Sequence, residues 1–130
     1  MRLLVLDTHA WVWAAERSKR LSRAARAAIG RNEGRLVIAD VSLYEAWAAQ
    51  LRGEFKTTLP LSAWLEEAIA RMRLRVEPVS PAIAGLCSSL GFSHGDPFDQ
   101  IIVATALSLN ARLVTGDSRI HESALVETIW

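Results

Sequence analysis

The sequence predicts one α/β domain built on a mostly parallel sheet, with helices covering both faces. Three observations predict it. "RLLVLD" is a continuous apolar run that ends in an acid, and "RLVIAD" and "RLVTGD" repeat the form, as suits strands buried on both faces. Helical patterns separate these runs, and parallel strands require connections of that length. The chain has 130 residues, the size of one ordinary domain. It is 51% hydrophobic and 22% charged, which excludes a disordered chain.

The elements follow in order. After the first strand, "THAWVWAAE" reads as a short helix. "LSRAARAAIGR" reads as a second, with Ser22 to cap it and Gly30 to end it. "RLVIAD" is the second strand. "SLYEAWAAQLRGE" is a helix with Gly53 near its end, and "LPLSAWLEEAIARMR" is another with Pro60 near its start. "LRVEPV" is a third strand. "SPAIAGLCSSLG" is a helix with Pro81 in its first turn and Gly91 after its end, and "DPFDQIIVATALSLNA" is the clearest helix of all. "RLVTGD" is the fourth strand and "ALVETIW" a fifth. No linker or repeat interrupts residues 1–130, so one domain is expected.

Bulk composition narrows the function classes. One cysteine, Cys87, excludes an intramolecular disulfide and a cysteine-rich zinc site; in "AIAGLCSSL" it reads as a small buried hydrophobe. "MRLLVLD" is too short for a signal-peptide core, and no run approaches the ~20 apolar residues of a membrane span. A cytoplasmic protein with no membrane partner is expected. Net charge is +1, yet thirteen of the fifteen basic residues are arginine, since Lys19 and Lys56 are the lysines. Arginines gather in 17–35 and alternate at Arg71, Arg73 and Arg75. They suit bidentate phosphate contact or a solvated helix face equally.

The acids carry the chemistry. In a parallel sheet every strand-to-helix junction opens at the carboxyl edge, where ligands of open α/β sheets bind. Asp7, Asp40 and Asp117 end strands, Glu45 lies near the start of a helix, and Asp96 and Asp99 open the long one. Each alone also fits helix capping: Ser42 and Glu45 match a capping box, and Asp96 can cap with Pro97 at the first helical position. Convergence argues for more. Two carboxylates ~6 Å apart at an effective dielectric of ~20 repel by about 3 kcal/mol, so three or four together either protonate in part or bind a cation. A hard, oxygen-loving ion such as Mg²⁺ suits them, with Mn²⁺ as a substitute. His9, His94 and His121 are isolated and read as packing or surface residues, with His94 near the rim of the acid patch. Thr8 and Thr115 flank acids, and their hydroxyls can hold carboxylates in place or cap strand ends.

"LLVLDTHAWVW", "VSLYEAWAAQ", "HGDPFDQIIVATAL" and "LVTGD" together resemble the four acidic blocks of PIN-domain ribonucleases, in order and across nearly the whole chain. The "LDTHxxxW" and "HxDPFDxxxxAxA" forms resemble the VapC-type toxins of toxin–antitoxin pairs. The resemblance implies a three-layer α/β/α sandwich and metal-dependent hydrolysis of RNA phosphodiester bonds, leaving a 5′-phosphate and a 3′-hydroxyl. It matches Asp7, Glu45, Asp99 and Asp117 to the family's four acids, with Asp96 as a further ligand or only a cap. It also implies a homodimer and a cognate antitoxin. Two positions depart from the pattern: Gln100 stands where many relatives have arginine, and Ala49 where many have lysine.

Two rivals remain. A haloacid-dehalogenase-like phosphatase also places an aspartate after its first strand, but wants a second two residues on, where this chain has His9. A catalytically weak PIN-fold binding module fits Gln100 and Ala49 better than it fits the retained acids. Five tryptophans complete the reading. Trp47 and Trp64 lie on apolar helical faces and are expected in the core. Trp11 and Trp13 cannot both be buried on one narrow helix face, so one is expected near the carboxyl edge, stacked on a base or against a partner.

Overall fold

The computed structural model describes residues 2–91 and 96–130. Five strands form one parallel sheet in the order β3-β2-β1-β4-β5: β1 (Leu4–Leu6), β2 (Leu36–Ala39), β3 (Arg75–Glu77), β4 (Arg112–Val114) and β5 (Thr128–Ile129). Pairing is in simple register. Leu4 lies opposite Leu36 on one side and Arg112 on the other, and Leu6 lies opposite Val114. Every residue of β1 and β2 is buried, as expected for runs of Leu, Val and Ile with no polar face.

Alternation along these strands feeds two cores. Leu4, Leu6, Leu36 and Ile38 face the helices α1 (Thr8–Ala15), α2 (Arg23–Arg31) and α4 (Leu61–Arg71) through Trp11, Ala25, Ala28 and Ala68. Val5, Val37, Ala39 and Leu113 face α6 (Pro97–Ser108) and α7 (Ser118–Ser123) through Ile102, Val103, Ala106 and Ile120. α3 (Val41–Leu51) touches both sides, with Ala46 in the first core and Val41 against the second, and α5 (Pro81–Ser89) packs on α6. The result is the expected α/β/α sandwich, all parallel.

Caps set several helix starts. Ser22 Oγ accepts from the Ala25 N–H and Ser80 Oγ from the Ile83 N–H. Four expectations fail. Gly30 lies inside α2, which runs on to Arg31, while Gly34 takes the positive φ of 81° in the turn that follows. Ser42 does not cap α3: the helix starts at Val41 after Asp40, and Ser42 is fully buried, its hydroxyl hydrogen-bonded to that of Thr8 at 2.9 Å. Trp47 is 43% exposed and lies against Tyr44 on the outer face of α3, whereas Trp64 packs on the buried Trp11 and on Phe55. Cys87 is half-buried rather than enclosed. No helix among the described residues is long and apolar enough to cross a membrane.

Candidate active site

Strand order positions the site. From β1 the chain builds outward to β2 and β3, then returns to lay β4 on the other side of β1. The crevice at the carboxyl ends of β1 and β4 is therefore the topological switch point, the usual ligand position of open α/β sheets. A cavity of about 270 Å³ opens there, walled by Asp7, Glu45, Asp99 and Asp117, with Arg20 and Arg52 also in its lining.

Each acid reaches the cavity from a different element. Asp7 ends β1 and caps α1: one carboxylate oxygen accepts from the Thr8 N–H at 2.8 Å, and the other accepts from the Thr115 hydroxyl at 2.6 Å. Thr115 follows β4, so this buried bond ties the two central strands together at the mouth of the crevice. Glu45 extends from α3 and accepts from the Thr8 hydroxyl at 2.6 Å, in place of reaching back to a cap. Asp117 caps α7 by accepting from the Arg119 N–H at 2.8 Å. Asp96 caps α6 by accepting from the Phe98 N–H at 2.9 Å. Capping thus occupies one oxygen each of Asp7, Asp96 and Asp117, so a cap and an ion ligand are not exclusive roles.

Asp99 lies one turn into α6 and is 7% exposed. Its carboxyl, Glu45 and Asp96 place one oxygen each within 4.8 Å of one another. Asp96 belongs to this trio without lining the cavity. Burial, reinforced by the charges of Asp7, Asp96, Asp117 and Glu45, pushes Asp99 up to about 7 from an ordinary 3.8. Burial also raises Glu45, with Asp7 and Asp96 adding to the rise and the Thr8 hydrogen bond opposing it. Asp117 moves the other way. Burial pushes it up, but hydrogen bonds from the Arg119 side chain and backbone outweigh that and hold it below its usual value.

An all-oxygen set around a buried carboxyl suits a hard divalent cation, and it lacks the thiolates and paired imidazoles of a zinc site. Asp40 does not join it: one oxygen accepts from the Val79 N–H at 3.2 Å beyond β3. His94 lies outside the described residues. Ala49 lines the cavity, so the position at which the resemblance leads one to expect lysine faces the site.

Arg119 was not legible in the sequence. It leans over the rim, 3.3 Å from Asp117 and 4.0 Å from Asp99, on a six-residue helix too short to show periodicity. His9 was read as isolated, yet its Nε2 accepts from the Gly116 N–H at 2.9 Å and its Nδ1 lies 3.6 Å from Asp7. Only the spacing Asp7-x-His9 and Asp117-x-Arg119 hinted at either.

The PIN domain family profile matches residues 4–125. The chain belongs to the PIN-domain family. Ribonuclease VapC22 of Mycobacterium tuberculosis is 33% identical over 134 aligned residues that cover all of both chains, which puts this PIN-domain protein on the VapC side of the family. Two solved structures share its fold at low identity. VapBC2 of Rickettsia felis, bound to a promoter DNA fragment, matches with a TM-score of 0.71 at 16% identity, covering 97% of this chain and 96% of that one. DNA-bound VapBC of Salmonella typhimurium matches with 0.71 at 18%, covering 98% and 97%.

Proposed function

We infer that this VapC-type PIN-domain nuclease is a Mg²⁺-dependent endoribonuclease and the toxin of a type II toxin–antitoxin module. A full-length relative named as a ribonuclease and neighbours solved as VapBC complexes support the nuclease and its pairing with an antitoxin. One observation carries the metal and the chemistry: the buried Asp99 has a carboxyl oxygen within 4.8 Å of oxygens of Glu45 and Asp96, and it shares a cavity wall with Asp7 and Asp117. A group so placed costs stability when ionised, unless a cation sits beside it.

Asp7, Glu45, Asp99 and Asp117 would hold the ion, Mg²⁺ or Mn²⁺, with Asp96 as a further oxygen donor beside Glu45 and Asp99. When bound, the ion supplies Lewis acidity to the phosphate and lowers the pKa of a water. The chain's own groups do the rest. Thr115 and Thr8 fix the Asp7 and Glu45 carboxylates, leaving little reorganisation at the moment of reaction. Glu45 or Asp99 would orient the attacking water. Arg52 and Arg119, at the rim, supply positive charge for the RNA phosphate where Ala49 and Gln100 supply none. The whole of 1–130 acts as one domain in the cytoplasm, as a homodimer that a cognate antitoxin silences.

The test is cleavage of a mixed RNA pool with Mg²⁺, with Mn²⁺ and with EDTA, by the wild type and by Asp7→Asn and Asp99→Asn. Cleavage that needs metal and is lost in both variants is expected. Undiminished cleavage in either variant overturns the assignment. A protein that neither cleaves nor binds Mg²⁺ in a titration is the binding module instead.

A further inference from the structure

Beside the acid cavity lies a second, shallower basin of about 480 Å³, lined by His9, Trp13, Arg20, Gly116, Asp117 and Trp130. Four of these, His9, Trp13, Arg20 and Asp117, also line the acid cavity, so the two spaces are continuous. Three aromatic rings form its floor. His9 lies 5.2 Å from Trp13 and 5.6 Å from Trp130, and the two indoles are 5.9 Å apart. The Arg20 guanidinium carbon stands 5.7 Å over the Trp13 ring.

Two features show the floor to be built. A Cβ at Gly116 would come within 2.8 Å of Trp130 Cε2, so a residue without a side chain lets that indole lie flat on the backbone. The Gly116 N–H donates to His9 Nε2 at 2.9 Å, and His9 Nδ1 lies 3.6 Å from Asp7, so the ring is held from both sides. Yet the rings are only half-buried, and the face they leave open adjoins the acids. Tryptophans serving the core alone would be enclosed, as Trp11 is at 0% exposure.

We propose that this basin is a stacking subsite for the unpaired nucleobase next to the scissile phosphate. It rests on the nuclease reading and sharpens it, since it makes the substrate single-stranded or looped RNA. Aromatic faces and arginine planes take splayed bases, whereas a base inside an A-form helix has both faces covered. Continuity with the acid cavity favours a base over a peptide side chain, because a phosphate held at the acids delivers its own nucleoside to the adjoining space. Arg20 adds a donor that can reach the ring acceptors of a stacked base.

The experiment scans a short cleavable RNA with abasic ribose at each position in turn. Cleavage is measured for the wild type, Trp13→Ala and Trp130→Ala, and binding is measured in the Asp99→Asn background without turnover. In the wild type one position beside the cut is expected to lose on the order of tenfold, the loss of one stacked base. Neither tryptophan variant should lose further at that position, and a fully paired version of the same RNA should resist cleavage. A loss spread evenly over all positions, or an abasic penalty as large in Trp13→Ala as in wild type, overturns the subsite. So does unchanged cleavage by both variants with weakened antitoxin binding, which would give the basin to the protein partner. If one variant fails to fold, the other alone decides. If the wild type cleaves no RNA with either metal, the nuclease reading falls, and the abasic binding series still decides the basin.

Discussion

The same two residue types are arranged in opposite ways at the two ends of the sheet and over its surface. Outside the crevice, acids stand beside arginines: Glu127 between Arg2 and Arg112, Glu67 by Arg71, Glu33 by Arg73 and Glu77 by Arg75. These pairs are exposed on at least one side, and such bridges contribute roughly 0–1 kcal/mol each. In the crevice, carboxylate faces carboxylate, and Arg119 leans in from the rim. A chain with arginines to spare has kept them out of the centre of the cluster. That arrangement opposes stability, and the contrast sets the candidate site apart from ordinary surface charge.

The largest effect expected is on the acids themselves. Asp7→Asn or Asp99→Asn should lower the metal-dependent cleavage rate by roughly a hundredfold or more, measured at saturating Mg²⁺. Asp99→Asn should at the same time melt no lower than the wild type in EDTA, because it removes repulsion. A clear drop in melting temperature would put Asp99 among the stabilising acids and erase the contrast. Thr115→Val removes the hydroxyl that holds Asp7 while keeping the side chain's shape. Titration should show metal affinity about 10–100-fold weaker, as for other lost supports of ligating carboxylates.

Proton linkage gives the next effect. The folded Asp99 carboxyl keeps its proton up to about pH 7, while an unfolded one sheds it near 3.8. Between those values the folded state carries the extra proton. Stability of the metal-free protein therefore has its contribution from this group at low pH and loses it as pH rises toward 7. Thermal melts in EDTA from pH 4.5 to 7.5 should show that decline, and Asp99→Asn should flatten it. Metal must displace the same proton, so apparent Mg²⁺ affinity should weaken by up to tenfold per pH unit below 7. A pH-independent titration would mean the ion does not meet Asp99.

Smallest are the effects of single arginines. Arg119→Ala removes the cation nearest the acids and should tighten Mg²⁺ binding several-fold while raising the KM for RNA. Arg73→Ala, from the exposed pair with Glu33, should change neither. Equal behaviour of the two would place Arg119 among the surface bridges.

Much of the fold was legible because its strands are buried on both faces. "RLLVLD" and "RLVIAD" can hardly be anything but central strands, and their terminal acids mark the edge where they end. Short elements were less legible. α7 has six residues and offers no periodicity, so Arg119 could not be placed. The capping-box pattern Ser42-x-x-Glu45 misled because α3 starts two residues earlier than it implies, at Val41, and tertiary hydrogen bonds to Thr8 claim both side chains. Trp47 misled because helical spacing names a face without saying what covers it. The acids' positions could be read from strand ends, but their supports could not. Thr115 holds an aspartate 108 residues away, a partnership that register between β1 and β4 creates and local sequence does not record.

The strand order has a temporal consequence. Asp7 comes from the first strand made and Asp117 from the end of the fourth, and β4 slots in beside β1 only after more than a hundred residues have been joined. A chain still on the ribosome thus carries its acids scattered, with the neighbour of β1 missing on one side. For a nuclease of this family, the acid cluster is therefore assembled only when β4 arrives, late in synthesis.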